Sequence, residues 1–113
     1  MPAPEIQGLT LSVAEISDAG GGTTVVIAPA VAGKRVYIGY LEIAKGTLDV
    51  SLLAEFGTTH QIANTAYQTG LLHVGLVQIM VPVIGPPGLA LRVTATSSSA
   101  LHLGHYAIHW TYI

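Results

Sequence analysis

Apolar and polar residues alternate along much of this chain with a period of two, the spacing of a strand with one covered face; no stretch carries the period of an amphipathic helix. The clearest case is Thr47 to Phe56, where Leu48, Val50, Leu52, Ala54 and Phe56 alternate with Thr47, Asp49, Ser51, Leu53 and Glu55. Leu89, Leu91, Val93 and Ala95 alternate in the same way with Ala90, Arg92, Thr94 and Thr96. Near the N-terminus, Leu9, Leu11 and Val13 alternate with Thr10 and Ser12. Each pattern predicts a strand that buries its apolar set.

Three further segments are apolar on both faces. Arg35 to Ile43 places Val36, Ile38 and Tyr40 on one side, with Tyr37, Leu41 and Ile43 on the other. Leu76 to Ile84 and Leu101 to Ile113 read likewise. A small two-layer protein ordinarily turns a polar outer face to water, so doubly apolar strands predict a covering partner, most simply an identical subunit.

Gly and Pro separate these segments. Ala44-Lys45-Gly46 reads as a short hairpin loop closed by a left-handed Gly46, and Asp18 to Gly22 as a flexible loop. Gly85-Pro86-Pro87-Gly88 and Ser97-Ser98-Ser99 read as turns, and Ala63 to Gly70 as a longer crossover. About seven or eight short strands at regular spacing predict an all-β fold, an antiparallel β-sandwich of jelly-roll-like build. Residues 1–8 are expected to form an extended N-terminal arm anchored by Ile6, with a single sandwich domain over 9–113. No secretory leader is visible in Met-Pro-Ala-Pro-Glu. The apolar run Leu71 to Leu91 has the length of a membrane span, but Pro82, Pro86 and Pro87 remove donors that lipid cannot replace, so it reads as strands and turns.

Composition narrows the function. Of 113 residues, 4 are Lys or Arg and 6 are Asp or Glu, where an ordinary domain would carry about 28 charges in all. Half the residues are apolar and mean hydropathy is +0.59, which excludes disorder. Four cations offer little counterion release, so no nucleic-acid partner is expected, and no membrane. Five charges, Lys34, Arg35, Glu42, Lys45 and Asp49, fall near the expected hairpin, and Arg92 is the only charge after Glu55.

Candidate chemistry is sparse. There is no Cys, hence no disulfide, thiolate site or cysteine nucleophile. Of five histidines, His105 and His109 share a strand face but stand about 13 Å apart at strand rise, too far for one metal ion. His102 falls on the opposite face, and His60 and His73 lack nearby partners. No nucleophile elbow, phosphate loop or secluded carboxylate pair is present, so neither an enzyme nor a cofactor is expected. Tyr106, Trp110 and Tyr112 share one face of the last strand and read first as core, second as an interface stripe. Lys34-Arg35, the only adjacent basic pair, reads as a solvated strand end or as a contact for an acidic neighbour.

The segment Pro29-Ala-Val-Ala-Gly-Lys-Arg-Val-Tyr-Ile38, then Gly-Pro-Pro-Gly-Leu-Ala-Leu-Arg-Val at 85 to 93, then a small-residue turn and a Tyr-bearing last strand, resembles small jelly-roll virion proteins of tailed bacteriophages. That resemblance implies a capsid decoration, or cement, protein on the virion surface. It would form a homotrimer and clamp the major capsid protein lattice, with Ile6, Lys34, Arg35, His105, His109 and Trp110 as interface candidates. The histidine-rich last strand departs from the pattern. A tail or head-to-tail component is implied too, and a carbohydrate- or receptor-binding jelly roll using Tyr67, His60 and Asn64 is the competing class.

Overall fold

The computed structural model describes residues 8–46, 50–65, 76–97 and 101–113, and among these described residues there are nine β-strands and no α-helix. They are β1 (Thr10–Asp18), β2 (Thr23–Ala28), β3 (Val36–Lys45), β4 (Val50–Phe56), β5 (His60–Asn64), β6 (Leu76–Ile79), β7 (Val83–Ile84), β8 (Leu91–Ser97) and β9 (His102–Tyr112). All pairings are antiparallel. One sheet runs β1-β9-β3-β6, with β7 also paired to β3, and the other runs β2-β8-β4-β5. Here they are called the A sheet and the B sheet.

The order follows from rolling up one long antiparallel hairpin. β1 pairs with β9, β2 with β8, β3 with β6 and β7, and β4 with β5; closure then sets β9 beside β3 and β8 beside β4. β6 and β7 act as one strand broken at Met80-Val81-Pro82, because a proline cannot donate to the ladder. This is the jelly-roll architecture. The expected hairpin at Ala44 to Gly46 is absent: β3 lies in the A sheet and β4 in the B sheet, so the chain changes layer there. Gly46 has no positive φ. Glycine is needed for space instead, since a Cβ would sit 2.7 Å from the Leu103 carbonyl oxygen, which accepts the Gly46 N–H at 2.8 Å. The expected crossover also changes layer, from β5 to β6, with residues 66–75 outside the described part.

Period-two patterning placed the core correctly in the B sheet. Val50, Leu52, Ala54 and Phe56 of β4, and Leu91, Val93 and Ala95 of β8, are buried. The register sets large against small, Leu52 opposite Ala95 and Ala54 opposite Val93. From the A sheet come Ile16, Val36, Ile38, Leu41, Ile43, Tyr106 and Ile108. Gly104 admits Leu52 between the layers, for a Cβ there would lie 2.5 Å from Leu52 Cδ1. Thr65, wholly buried, accepts the Leu52 N–H on its hydroxyl at 2.9 Å.

Two strands depart from the sequence expectation. In β3 the register shifts between Ile38 and Tyr40, so Gly39 forms a bulge and reverses the parity beyond it. Val36, Ile38, Leu41 and Ile43 therefore all point inward, and Tyr37 and Tyr40 both point outward. In β1 the inward positions are Ser12, Ala14, Ile16 and Asp18, leaving Leu11 and Val13 outside, 57% and 61% exposed. Trp110 of β9 donates its indole N–H to Ser12 Oγ at 3.0 Å and fills the space that a larger β1 side chain would need.

The glycine-rich turn after β1 is tethered rather than loose. The Asp18 carboxylate, buried, accepts bonds from the Gly20 N–H, the Thr23 hydroxyl and the Ser97 N–H and hydroxyl. Chiefly the Ser97 N–H holds the Asp18 carboxyl below the usual carboxylate range, with the Gly20, Thr23 and remaining Ser97 bonds adding to it against the opposing effect of desolvation.

Candidate functional site

The two sheets turn opposite chemistries outward. Across the B sheet lie Thr24, Thr94, Thr96, Ser51, Arg92 and Glu55, with Val26 and Leu53 as the apolar members. Thr24 and Thr94 hydroxyls bond at 2.9 Å, and Arg92 pairs with Glu55 at 3.8 Å while donating to the Gly57 carbonyl at 3.1 Å. That face is a conventional solvated surface.

The A sheet presents an apolar face with polar inserts. Leu11, Val13, Leu76, Ile84 and Leu103 are all exposed strand residues of this sheet; among the described strand residues, Val26 is the one comparable side chain on the B sheet. The register arranges them in rows across the sheet. Glu15 neighbours His105, then Ala44 and Leu76; Val13 neighbours Ala107, then Glu42 and Gln78; Leu11 neighbours His109, then Tyr40. Gln78 donates to Glu42 at 3.1 Å and to the Tyr40 hydroxyl at 3.2 Å, and the Tyr40 and His109 rings meet edge-on, centroids 6.1 Å apart. All three segments expected to be apolar on both faces, β3, β6–β7 and β9, belong to this one sheet.

Of the interface candidates, His105 and His109 do share the outer face of β9, two rows apart with the Ala107 row between them. Trp110 does not: it lies on the inner face, half-buried, stacked edge-on with Tyr112 at 5.2 Å and bonded to Ser12. Tyr106 and Tyr112 point inward with it, as a core stripe. Lys34 and Arg35 are exposed at the start of β3, where Arg35 exchanges two backbone bonds with Ile113. Lys45 ends the same strand, about 30 Å away. The charges near β3 are therefore strung along it rather than clustered at one turn. Ile6, Asp49, Tyr67 and His73 lie outside the described residues.

No three His, Asp or Glu side chains converge among the described residues. His60 and Asn64, offered for a sugar site, sit at opposite ends of β5 and do not converge either. Sequence reasoning missed Tyr37, Tyr40, Leu11 and Val13 as outward residues; the signal for the first two was the glycine inside an otherwise continuous strand pattern.

A second surface feature closes one end of the sandwich. Between β5 and β7, the outermost strands of the two sheets, opens a groove of about 520 Å³. Phe56, Ile62, Ile79 and Val83 form its apolar lining, with Arg35 and His60 among the polar residues around it. Gly85 abuts it, so close to Phe56 that a Cβ would lie 2.7 Å from the ring.

No protein family and no curated protein matches the sequence. Among solved structures, a chain from the Bacillus endospore appendages that form disulfide-linked pili is similar at TM-score 0.38 and 15% identity, over 97% of this chain and 92% of that one. A chain of the virus-like particle of Macrobrachium rosenbergii extra small virus, from the giant freshwater prawn, is similar at TM-score 0.37 and 13% identity, over 97% of this chain and 83% of that one. Both neighbours are structural proteins, one of a pilus and one of a virus particle.

Proposed function

We propose that this chain is a non-enzymatic structural protein of a tailed-bacteriophage virion, a capsid decoration protein that trimerises and stabilises the major capsid lattice from the particle surface. The observation that carries the reading is the contrast between the two outer faces. A protein working alone in water gains nothing from five exposed aliphatic side chains on one sheet while the other is covered with Thr, Ser and an ion pair. A subunit that spends its working life against neighbours does.

The A-sheet face has the composition of a docking surface: an apolar field with Tyr, His, Glu and Gln set into it to fix register. In the assembled particle this face lies against identical copies and the capsid beneath, and three modest contacts from one trimer add through high effective concentration. The test is sedimentation of the purified chain at micromolar concentration, followed by electron cryo-microscopy of the source particle. A trimer in solution and its density on the capsid surface support the reading; a monomer at that concentration, or its absence from the particle, overturns it.

A further inference from the structure

We propose that β1 is a pairing edge, through which two copies of this chain join their A sheets by antiparallel β1–β1 contact about Ala14. The first observation is a contrast among the edges of the two sheets. Among the described strands, β1 and β6–β7 are the edges of the A sheet, and β2 and β5 those of the B sheet. An open edge offers unpaired main-chain N–H and C=O groups to any passing strand, and proteins interrupt it with bulges, prolines or brevity. Three of these edges are interrupted. In β2 the register skips Ile27, between Val26 opposite Arg92 and Ala28 opposite Leu91. In β5 it skips Ile62, between Gln61 opposite Glu55 and Ala63 opposite Ala54. The third edge is broken at Pro82 into strands of four and two residues. β1 has none of these devices: it runs nine residues in unbroken register with β9 and contains no Pro, Gly or Lys.

The second observation is that this edge stands open. From Thr10 to Ser17, no main-chain group has a described partner outside the ladder with β9. Ala14 occupies an inward position and is nonetheless exposed, although Ile16, the next inward residue, is buried. One further strand beside β1 would cover Ala14 and take up the free main-chain groups.

The third observation identifies the partner as a second β1. The strand is self-complementary about Ala14: in an antiparallel two-fold pair, Ala14 meets the partner's Ala14, Val13 the partner's Glu15, Ser12 the partner's Ile16, Leu11 the partner's Ser17 and Thr10 the partner's Asp18. All nine residues are used, and no carboxylate faces another. Sliding the strands by two loses two of the nine pairs, and in one direction sets Glu15 against the partner's Glu15. A slip of one would place inward residues of one copy beside outward residues of the other. The centred register forms about eight main-chain hydrogen bonds and makes one continuous sheet from the A sheets of the two copies.

Because the chain has no cysteine, single cysteines report this contact directly. Opposed residues of an antiparallel pair have Cα atoms about 4.5–5.5 Å apart, within disulfide reach. Under mild oxidation, folded Ala14→Cys should become a covalent dimer at least roughly tenfold faster than Val26→Cys, an exposed position on the B-sheet outer face. Val13→Cys and Glu15→Cys should each link slowly alone and quickly when mixed, since they face one another across the axis. If folded Ala14→Cys stays monomeric or links no faster than Val26→Cys, the proposal is overturned. It is overturned equally if Val13→Cys links as fast alone as in the mixture, which would place the contact on the sheet face. By sedimentation, Val13→Glu should weaken the dimer by setting two carboxylates together, and Val13→Glu with Glu15→Lys should restore it; failure to restore it would overturn the register. The contact runs through an edge and leaves the outer face of the A sheet free, so the outcome stands apart from whether that face builds a trimer or meets a capsid.

Discussion

Asp18 Oδ2, at the end of β1 in the A sheet, accepts the main-chain N–H of Ser97, at the end of β8 in the B sheet, at 2.9 Å. The Ser97 hydroxyl also bonds back to the Asp18 carbonyl at 2.9 Å. The pair clips the two layers together at the turn where the chain first crosses between them. Its carboxyl is depressed in the folded state, so its contribution is present above the unfolded value near 3.8 and lost as pH falls through the lower folded value. Asp18→Ala should therefore lower the melting temperature at neutral pH, and the gap to wild type should narrow below about pH 4. Thermal melts of both proteins between neutral and strongly acid pH check this; a gap independent of pH would contradict it.

Gly104 is a matter of space alone, since its φ is not positive and Leu52 occupies the position its side chain would take. Gly104→Ala should cost about 1–3 kcal/mol by overpacking. Leu52→Ala in the same chain should recover part of that loss, giving a non-additive pair in denaturant unfolding.

Thr65 serves one buried donor, the Leu52 N–H. Thr65→Val keeps the shape but leaves that donor unpaired, at a cost of about 1–3 kcal/mol, whereas Thr65→Ser should keep most of the stability. Chemical denaturation of the two variants separates the hydrogen bond from the methyl group.

Leu11 and Val13 touch little within the subunit, so Leu11→Ser and Val13→Ser should change its unfolding free energy by no more than about 0.5 kcal/mol. The same changes should weaken self-association measured by sedimentation equilibrium, while Val26→Ser, on the opposite face, should not. With Glu15 and Glu42 as the A-sheet face's formal charges, association there should be insensitive to sodium chloride and tightened by sulfate.

How much of this could be read from the residues depends on what periodicity measures. Alternation tells which side chains share a face, and β4 and β8 were legible because one of their two sets is plainly the more apolar. In β1 both sets mix apolar residues with a carboxylate, Leu11, Val13 and Glu15 in one and Ala14, Ile16 and Asp18 in the other, so alternation separates them without saying which set faces the core. Packing decides that, through the partners Trp110 and Ser97 hold for Ser12 and Asp18. In β3 a single bulge at Gly39 moved Tyr40 to the other face, and part of the strand's apparent double apolarity was this change of parity. The separation of His105 and His109 was legible from strand rise alone; the groove between β5 and β7 was not, because its walls come from segments distant in the chain.

The rolled-up order also has a temporal side. β8 and β9, the last two described strands in chain order, are flanked on both sides in their sheets, as β3 and β4 are. Until they emerge, β1 and β2 have no hydrogen-bonding partner, and β3 and β4 can pair on one side only. Assembly of the core must wait for β8 and β9, which predicts slow folding and a nascent state that relies on chaperones to shield its aliphatic strands.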